Sequence, residues 1–125
     1  MTTTIRFPFP DSRLSANGRT DRRYLTDIRQ AARQTGYYLA KEHKLAFGGE
    51  KPLEFYMLIC PPDKRRRDDD NILSAFKSTR DGIFHALELD DSLIMRTVIE
   101  RGDVERGGAV YVRLTEIFNE RKGYG

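Results

Sequence analysis

Leu53-Glu54-Phe55-Tyr56-Met57-Leu58-Ile59-Cys60-Pro61-Pro62 reads as a strand brought to a stop. Leu53, Phe55, Met57 and Ile59 alternate with Glu54, Tyr56, Leu58 and Cys60, the two-residue period of a β-strand. Its second half is apolar on both faces, which predicts a central strand over residues 52–60, covered on both sides. Neither proline has a backbone N–H, so the ladder ends there. Past it runs Lys64-Arg65-Arg66-Arg67-Asp68-Asp69-Asp70-Asn71, four cations leading directly into three carboxylates. A helix is expected from about Asn71 to Leu87, with Ile72, Leu73, Phe76, Ile83 and Leu87 on its apolar face. The charge cluster therefore belongs just beyond the carboxyl end of a strand and at the start of a helix.

On the N-terminal side, residues 3–9 alternate, with Ile5, Phe7 and Phe9 on one face. Pro8 assigns this strand to an edge or an end. Pro10 to Asn17-Gly18 reads as a loop. Thr20 or Asp21 can cap a helix running to about Lys44. Leu25, Ile28, Ala31, Ala32, Thr35, Tyr38 and Leu39 are its expected buried stripe. Gly36 reads as an internal weakness, worth up to about 1 kcal/mol against Ala, and Gly48-Gly49 as the turn that follows.

On the C-terminal side, strands are expected over about 93–101 and 109–116, joined around Glu105-Arg106-Gly107-Gly108, with a loose tail after Phe118. The order is β-α-β-α-β-β. It implies one α+β domain over residues 1–125, two main helices on a small mixed β-sheet.

Composition narrows the function classes. The single cysteine, Cys60, excludes an internal disulfide and a cysteine-rich zinc site, and reads as a small buried hydrophobe. No apolar run approaches the roughly 20 residues of a membrane helix, and the N-terminus does not read as a signal peptide. Net charge is only +3, so the clustering of charge carries more information than its sum.

Crowded carboxylates repel one another unless a cation lies between them. Hard divalent ions such as Mg²⁺ prefer oxygen ligands, and arginine suits phosphate. Asp68 and Asp70 stand two apart, so an extended backbone would send both side chains the same way. The plainer reading is that they cap the helix and oppose its dipole. Asp70, Ser74, Lys77 and Asp81 fall in one narrow sector of the helix, so Lys77 can equally be a surface partner of Asp81. Lys64, Arg65, Arg66 and Arg67 are candidate phosphate contacts, against a solvated loop that merely neutralises the aspartates. Arg22, Arg23, Arg29 and Arg33 are weaker candidates on a charged helix face. His85 reads as structural or exposed, and the aromatic residues of the first helix as core.

Arg65 to Asn71, the helix after them, and Asp90-Asp91 followed by Ser92-Leu93 together resemble the RusA family of phage and prophage Holliday junction resolvases. The family pattern is Asp-x-Asp-Asn opening a helix, then a lysine, then an acidic pair. Phe7-Pro8-Phe9-Pro10 resembles its proline-rich first strand, and the strand–turn–strand ending with Gly107-Gly108 is also similar. The resemblance implies a homodimer in the cytoplasm of a bacterial or phage-infected cell. It implies paired cuts in four-way branched DNA, with Mg²⁺ as cofactor and Mn²⁺ as a substitute. Its catalytic, metal-binding aspartates map onto Asp68, Asp70 and Asp91. In the founding type the lysine lies where Ser74 stands. Here it is Lys77, on the same helix face and about 4.5 Å further along the axis; Ala75-Phe76-Lys77 with Arg80-Asp81-Gly82 resembles a phage branch. Two alternatives stand beside this reading: a nuclease with broader branched-substrate preference, and a non-catalytic prophage DNA-binding protein.

Overall fold

In the computed structural model, which describes residues 3–15, 21–45, 47 and 51–117, four strands and two helices follow in the expected order. They are β1 (Thr4–Pro8), α1 (Arg22–Glu42), β2 (Leu53–Cys60), α2 (Asp69–Leu87), β3 (Ile94–Arg101) and β4 (Ala109–Glu116). Single 3₁₀ turns at Ser12–Leu14 and Asp91–Leu93 lie in the connections. The fold is α+β with one mixed sheet, as the element order implies. Gly48-Gly49 and the tail after Phe118 fall outside the described residues.

The sheet order is β1-β4-β2-β3. β4 pairs antiparallel with both β1 and β2, whereas β2 and β3 are parallel. β1 is an edge, as Pro8 requires. The last two strands do not neighbour each other, because β2 lies between them. Their connection passes the end of β2, where the Glu105 N–H donates to the Pro61 carbonyl at 2.9 Å. Gly107 and Gly108, at φ 79° and 74°, make its turn in a region that side chains disfavour.

One face of the sheet forms the core. Ile5 and Phe7, Leu53, Phe55, Met57 and Ile59, and Val110, Val112 and Leu114 are all buried on it. Phe76, Ile83, Phe84 and Ala86 of α2 join the same cluster. Phe76 meets Phe7 edge-on at 5.9 Å, and Phe84 lies 6.3 Å from Phe55. Among the described residues no helix covers the other face, which corrects the expectation that β2 is covered on both sides. Tyr56 and Leu58 are only half-buried. Polar cross-strand pairs occupy this side: Arg96 bonds Glu54 at 2.6 Å, the Arg113 guanidinium stacks on Tyr56 at 4.2 Å, and the Tyr56 hydroxyl donates to Glu100.

Both helices lie over the core face and cross at two glycines. A Cβ on Gly36 would stand 2.1 Å from the Thr79 carbonyl oxygen, and one on Gly82 2.0 Å from that of Arg33. Gly36 is thus the point of closest helix approach rather than a weakness. This rotates α1 relative to the expected stripe. Gly36 and Ala40 are its buried residues, Ala31 is exposed, and Tyr38 is 67% exposed. The Asp21 side chain caps α1 by accepting from the Arg23 N–H at 3.0 Å.

Candidate nucleic-acid interface

The chain leaves β2 through Pro61-Pro62 and is then held by Asp63. Its carboxylate accepts the Arg65 N–H at 2.9 Å and pairs with the Arg67 guanidinium at 3.0 Å. The Arg65 N–H, then Arg67, keep the Asp63 carboxyl below its ordinary range. Arg67 also donates to the Asp63 and Arg65 carbonyls at 3.2 and 2.9 Å and stacks on Phe9 at 5.5 Å. Its side chain is only 16% exposed, so Arg67 braces the loop from inside. Lys64, Arg65 and Arg66 are left facing solvent.

This braced segment is a wall between two clefts. One, of about 280 Å³, lies against Arg101, Gly102 and Val104 beyond β3. The other, of about 430 Å³, lies against Phe9, Pro10, Ser12 and Ser15 beyond β1. Arg22 and Arg23 are both exposed at the start of α1 and line neither cleft. β1 and β2 run in one direction, and each is followed by a helix. Arg29 and Arg33 are elsewhere: they line a separate groove of about 600 Å³ with Tyr37, Tyr38 and His85.

The acidic residues sit at the start of α2. Asp68 occupies the N-cap position, and its backbone carbonyl accepts the Asn71 and Ile72 N–H groups at 3.1 and 3.2 Å. Its side chain makes no capping hydrogen bond, so of the plainer reading only the favourable interaction with the helix dipole remains for that carboxylate. Asp70 is exposed in the first turn of the helix. Asp69 is tied to Arg101 of β3 at 3.0 Å. Lys77 pairs with Asp81 at 3.2 Å, the surface arrangement available to it by spacing.

Asp91 is not with them. It opens the 3₁₀ turn that leads into β3, whose first residue, Ile94, pairs with Leu53 at the amino end of β2. Asp68 to Asp70 follow the carboxyl end of that same strand. Asp91 instead faces Arg80 of α2, whose guanidinium nitrogen stands 3.6 Å from its carboxylate. Asp90 is used in capping and accepts the Ser92 N–H at 2.8 Å. Among the described residues, no three His, Cys, Asp or Glu side chains come close enough to hold one metal ion. A metal site built from Asp68, Asp70 and Asp91 of a single chain therefore does not fit this geometry.

Three residues of this region escaped the sequence reading. Asp63, two before Arg65 and just after two prolines, carries the spacing of a side-chain turn and was legible. Arg101 and Arg80 were not, because their partners Asp69 and Asp91 are set by strand pairing and helix position. Cys60 is buried and its thiol is pushed up by that burial, which suits the structural reading.

No helix among the described residues is long and apolar enough to cross a membrane. No family model matches the chain. An uncharacterized protein of Xylella fastidiosa (strain Temecula1 / ATCC 700964) is 29% identical over 128 residues, an alignment that covers 98% of this chain and 82% of that protein.

Proposed function

We propose that this protein is a DNA endonuclease of the RusA type, cutting four-way junctions as a homodimer with Mg²⁺, or Mn²⁺ in its place. The observation that supports this most is the braced basic wall. Lys64, Arg65 and Arg66 face solvent between two clefts, next to the uncapped carboxylate of Asp68 and the exposed one of Asp70. A loop fixed by Asp63 and Arg67 loses little freedom when it meets a phosphate backbone, which favours binding. Arginine forks hold phosphate oxygens bidentately. The same reading places the protein in the cytoplasm of a bacterial or phage-infected cell.

A second reading has its own support. Among the described residues, the carboxylates of one chain do not converge on a metal position, as a non-catalytic branched-DNA-binding protein would allow. A labelled four-way junction, a flap and a linear duplex, each with and without Mg²⁺, separate the readings. Mg²⁺-dependent cutting confined to the junction supports the resolvase. Cutting of the flap as well supports a broader branched-DNA nuclease. Binding without cutting on any substrate supports the non-catalytic protein.

A further inference from the structure

Many arginines of this chain are already engaged. Arg6, Arg13, Arg67, Arg96 and Arg101, among others, each pair with a carboxylate, and Arg113 lies on Tyr56. Those without a carboxylate partner among the described residues include two on the basic wall, Arg65 and Arg66, and three on α1, Arg22, Arg29 and Arg33. At about 100° per residue these three share one strip of α1, and all are exposed. Arg29 and Arg33 line the groove of about 600 Å³ that α1 forms with His85 of α2. No acidic side chain lines that groove, so its charge is wholly positive and unneutralised.

The same groove carries aromatic rings in a fixed arrangement. Tyr37 is held from several sides: Tyr38 meets it almost at right angles at 5.3 Å, His85 lies 5.0 Å away, and Lys41 Nζ stands 5.7 Å from its centroid. Tyr38 itself is 67% exposed, in contrast to its expected place in the core. A single exposed tyrosine needs no explanation. A braced one, beside two unpaired guanidinium groups and the exposed amides of Gln30 and Gln34, makes a set with one chemistry in common. Arginine forks take phosphates, a tyrosine ring takes the face of a base, and an amide both donates to and accepts from a base edge. An acidic peptide would satisfy the arginines but give Tyr38 nothing flat to stack on.

We propose that this groove binds single-stranded DNA, with Arg29 and Arg33 on successive phosphates and an unpaired base stacked on Tyr38. Four residues of helix separate the two arginines by about 6 Å along the axis, close to the spacing of phosphates in an extended strand. A duplex keeps its bases stacked on one another and offers none to Tyr38, so the groove selects the unpaired strand. The choice of DNA over RNA rests on the proposed nuclease reading, since stacking and charge alone accept either. The site is separate from the wall of Lys64, Arg65 and Arg66, which lines two other clefts.

The test is binding of a short fluorescein-labelled oligothymidylate, read by anisotropy without divalent metal so that no cutting intervenes. Tyr38→Ala should weaken binding about 5- to 150-fold, whereas Tyr38→Phe should keep wild-type affinity. Arg29→Gln with Arg33→Gln should flatten the log–log salt dependence by about 0.7 per lost phosphate contact. These side chains are exposed, so the variants should fold as wild type does by circular dichroism. A bromodeoxyuridine-substituted strand should photo-cross-link to Tyr37 or Tyr38. No binding by wild type, binding that Tyr38→Ala leaves unchanged, cross-links confined to residues 64–67, or equal competition by linear duplex overturns the groove. Tighter binding of oligouridylate than of oligothymidylate overturns its assignment to DNA. A protein that binds the strand through Tyr38 but cuts no junction keeps the groove and counts against the nuclease reading. One that cuts the junction and fails the binding tests keeps the nuclease reading and loses the groove.

Discussion

Replacing Gly36 or Gly82 by alanine gives opposite results under two accounts of α1. If Gly36 were only a flexible point in a helix, alanine would stabilise the protein by up to about 1 kcal/mol through helix propensity. The observed crossing predicts the reverse. The new methyl would stand 2.1 Å from the Thr79 carbonyl oxygen at Gly36, or 2.0 Å from that of Arg33 at Gly82. Both obstacles are backbone, so neither can rotate away. Ordinary contact begins near about 3.5 Å, and the helices must separate by more than about 1 Å at the crossing. Overpacking of this kind costs about 1–3 kcal/mol, and backbone against methyl belongs at the upper end. Subtracting the propensity gain leaves a net loss of about 2 kcal/mol for each variant. At about 2.1 cal/mol/K per residue, a chain of this length loses about 4 °C per kcal/mol, so Tm should fall by about 8 °C. The double variant should fall by less than the sum, since one displacement relieves both contacts. Thermal unfolding followed by circular dichroism reads this out. A rise in Tm for Gly36→Ala would refute the crossing.

Three further outcomes are expected. Neutralising Lys64, Arg65 and Arg66 together should weaken junction binding and flatten its salt dependence, by about 0.9 in the log–log slope per lost phosphate contact; an unchanged slope in a binding titration would remove this wall from the interface. Lys77→Ala should slow cutting while leaving junction affinity unchanged, whereas if cutting is unaffected the lysine serves only as the surface partner of Asp81. The Asp63 carboxyl is held below its ordinary value of 3.8, so its contribution is present above that pH and is lost as pH falls through the lowered value. The loop of residues 63–67 should therefore become protease-sensitive in acid before the helices melt, and Asp63→Asn should make it sensitive already at neutral pH.

The strand–helix order was legible because it is written in local periodicity. Leu53, Phe55, Met57 and Ile59 alternate in sequence and all lie on the core face in the fold. Which strands neighbour which was not legible: β3 and β4 are joined by a short glycine turn, yet β2 separates them. The open side of β2 was misjudged for a related reason. Tyr56 and Leu58 look like core residues, but among the described residues their face carries cross-strand side-chain pairs such as Arg113 on Tyr56 in place of a helix. The helix stripe slipped because Gly36 was weighed by propensity rather than by the close approach it permits. At the candidate site, Lys64 to Asp70 were placed correctly at the end of β2. Arg67 was taken for a phosphate contact, but its hydrogen bonds turn it inward. The position of Asp91 follows from the length of α2 and the parallel pairing of β3, and neither is visible in an acidic motif.

The most direct measurement is cleavage of a labelled four-way junction by wild type and by Asp70→Asn, with Mg²⁺ present, alongside binding of the same junction. Asp70 is exposed and outside the core, so the variant should fold and bind as wild type does. The account predicts symmetric cuts by the wild type and none by Asp70→Asn at equal affinity. Cutting by Asp70→Asn near the wild-type rate, or a wild type that binds the junction and leaves it whole, would contradict it.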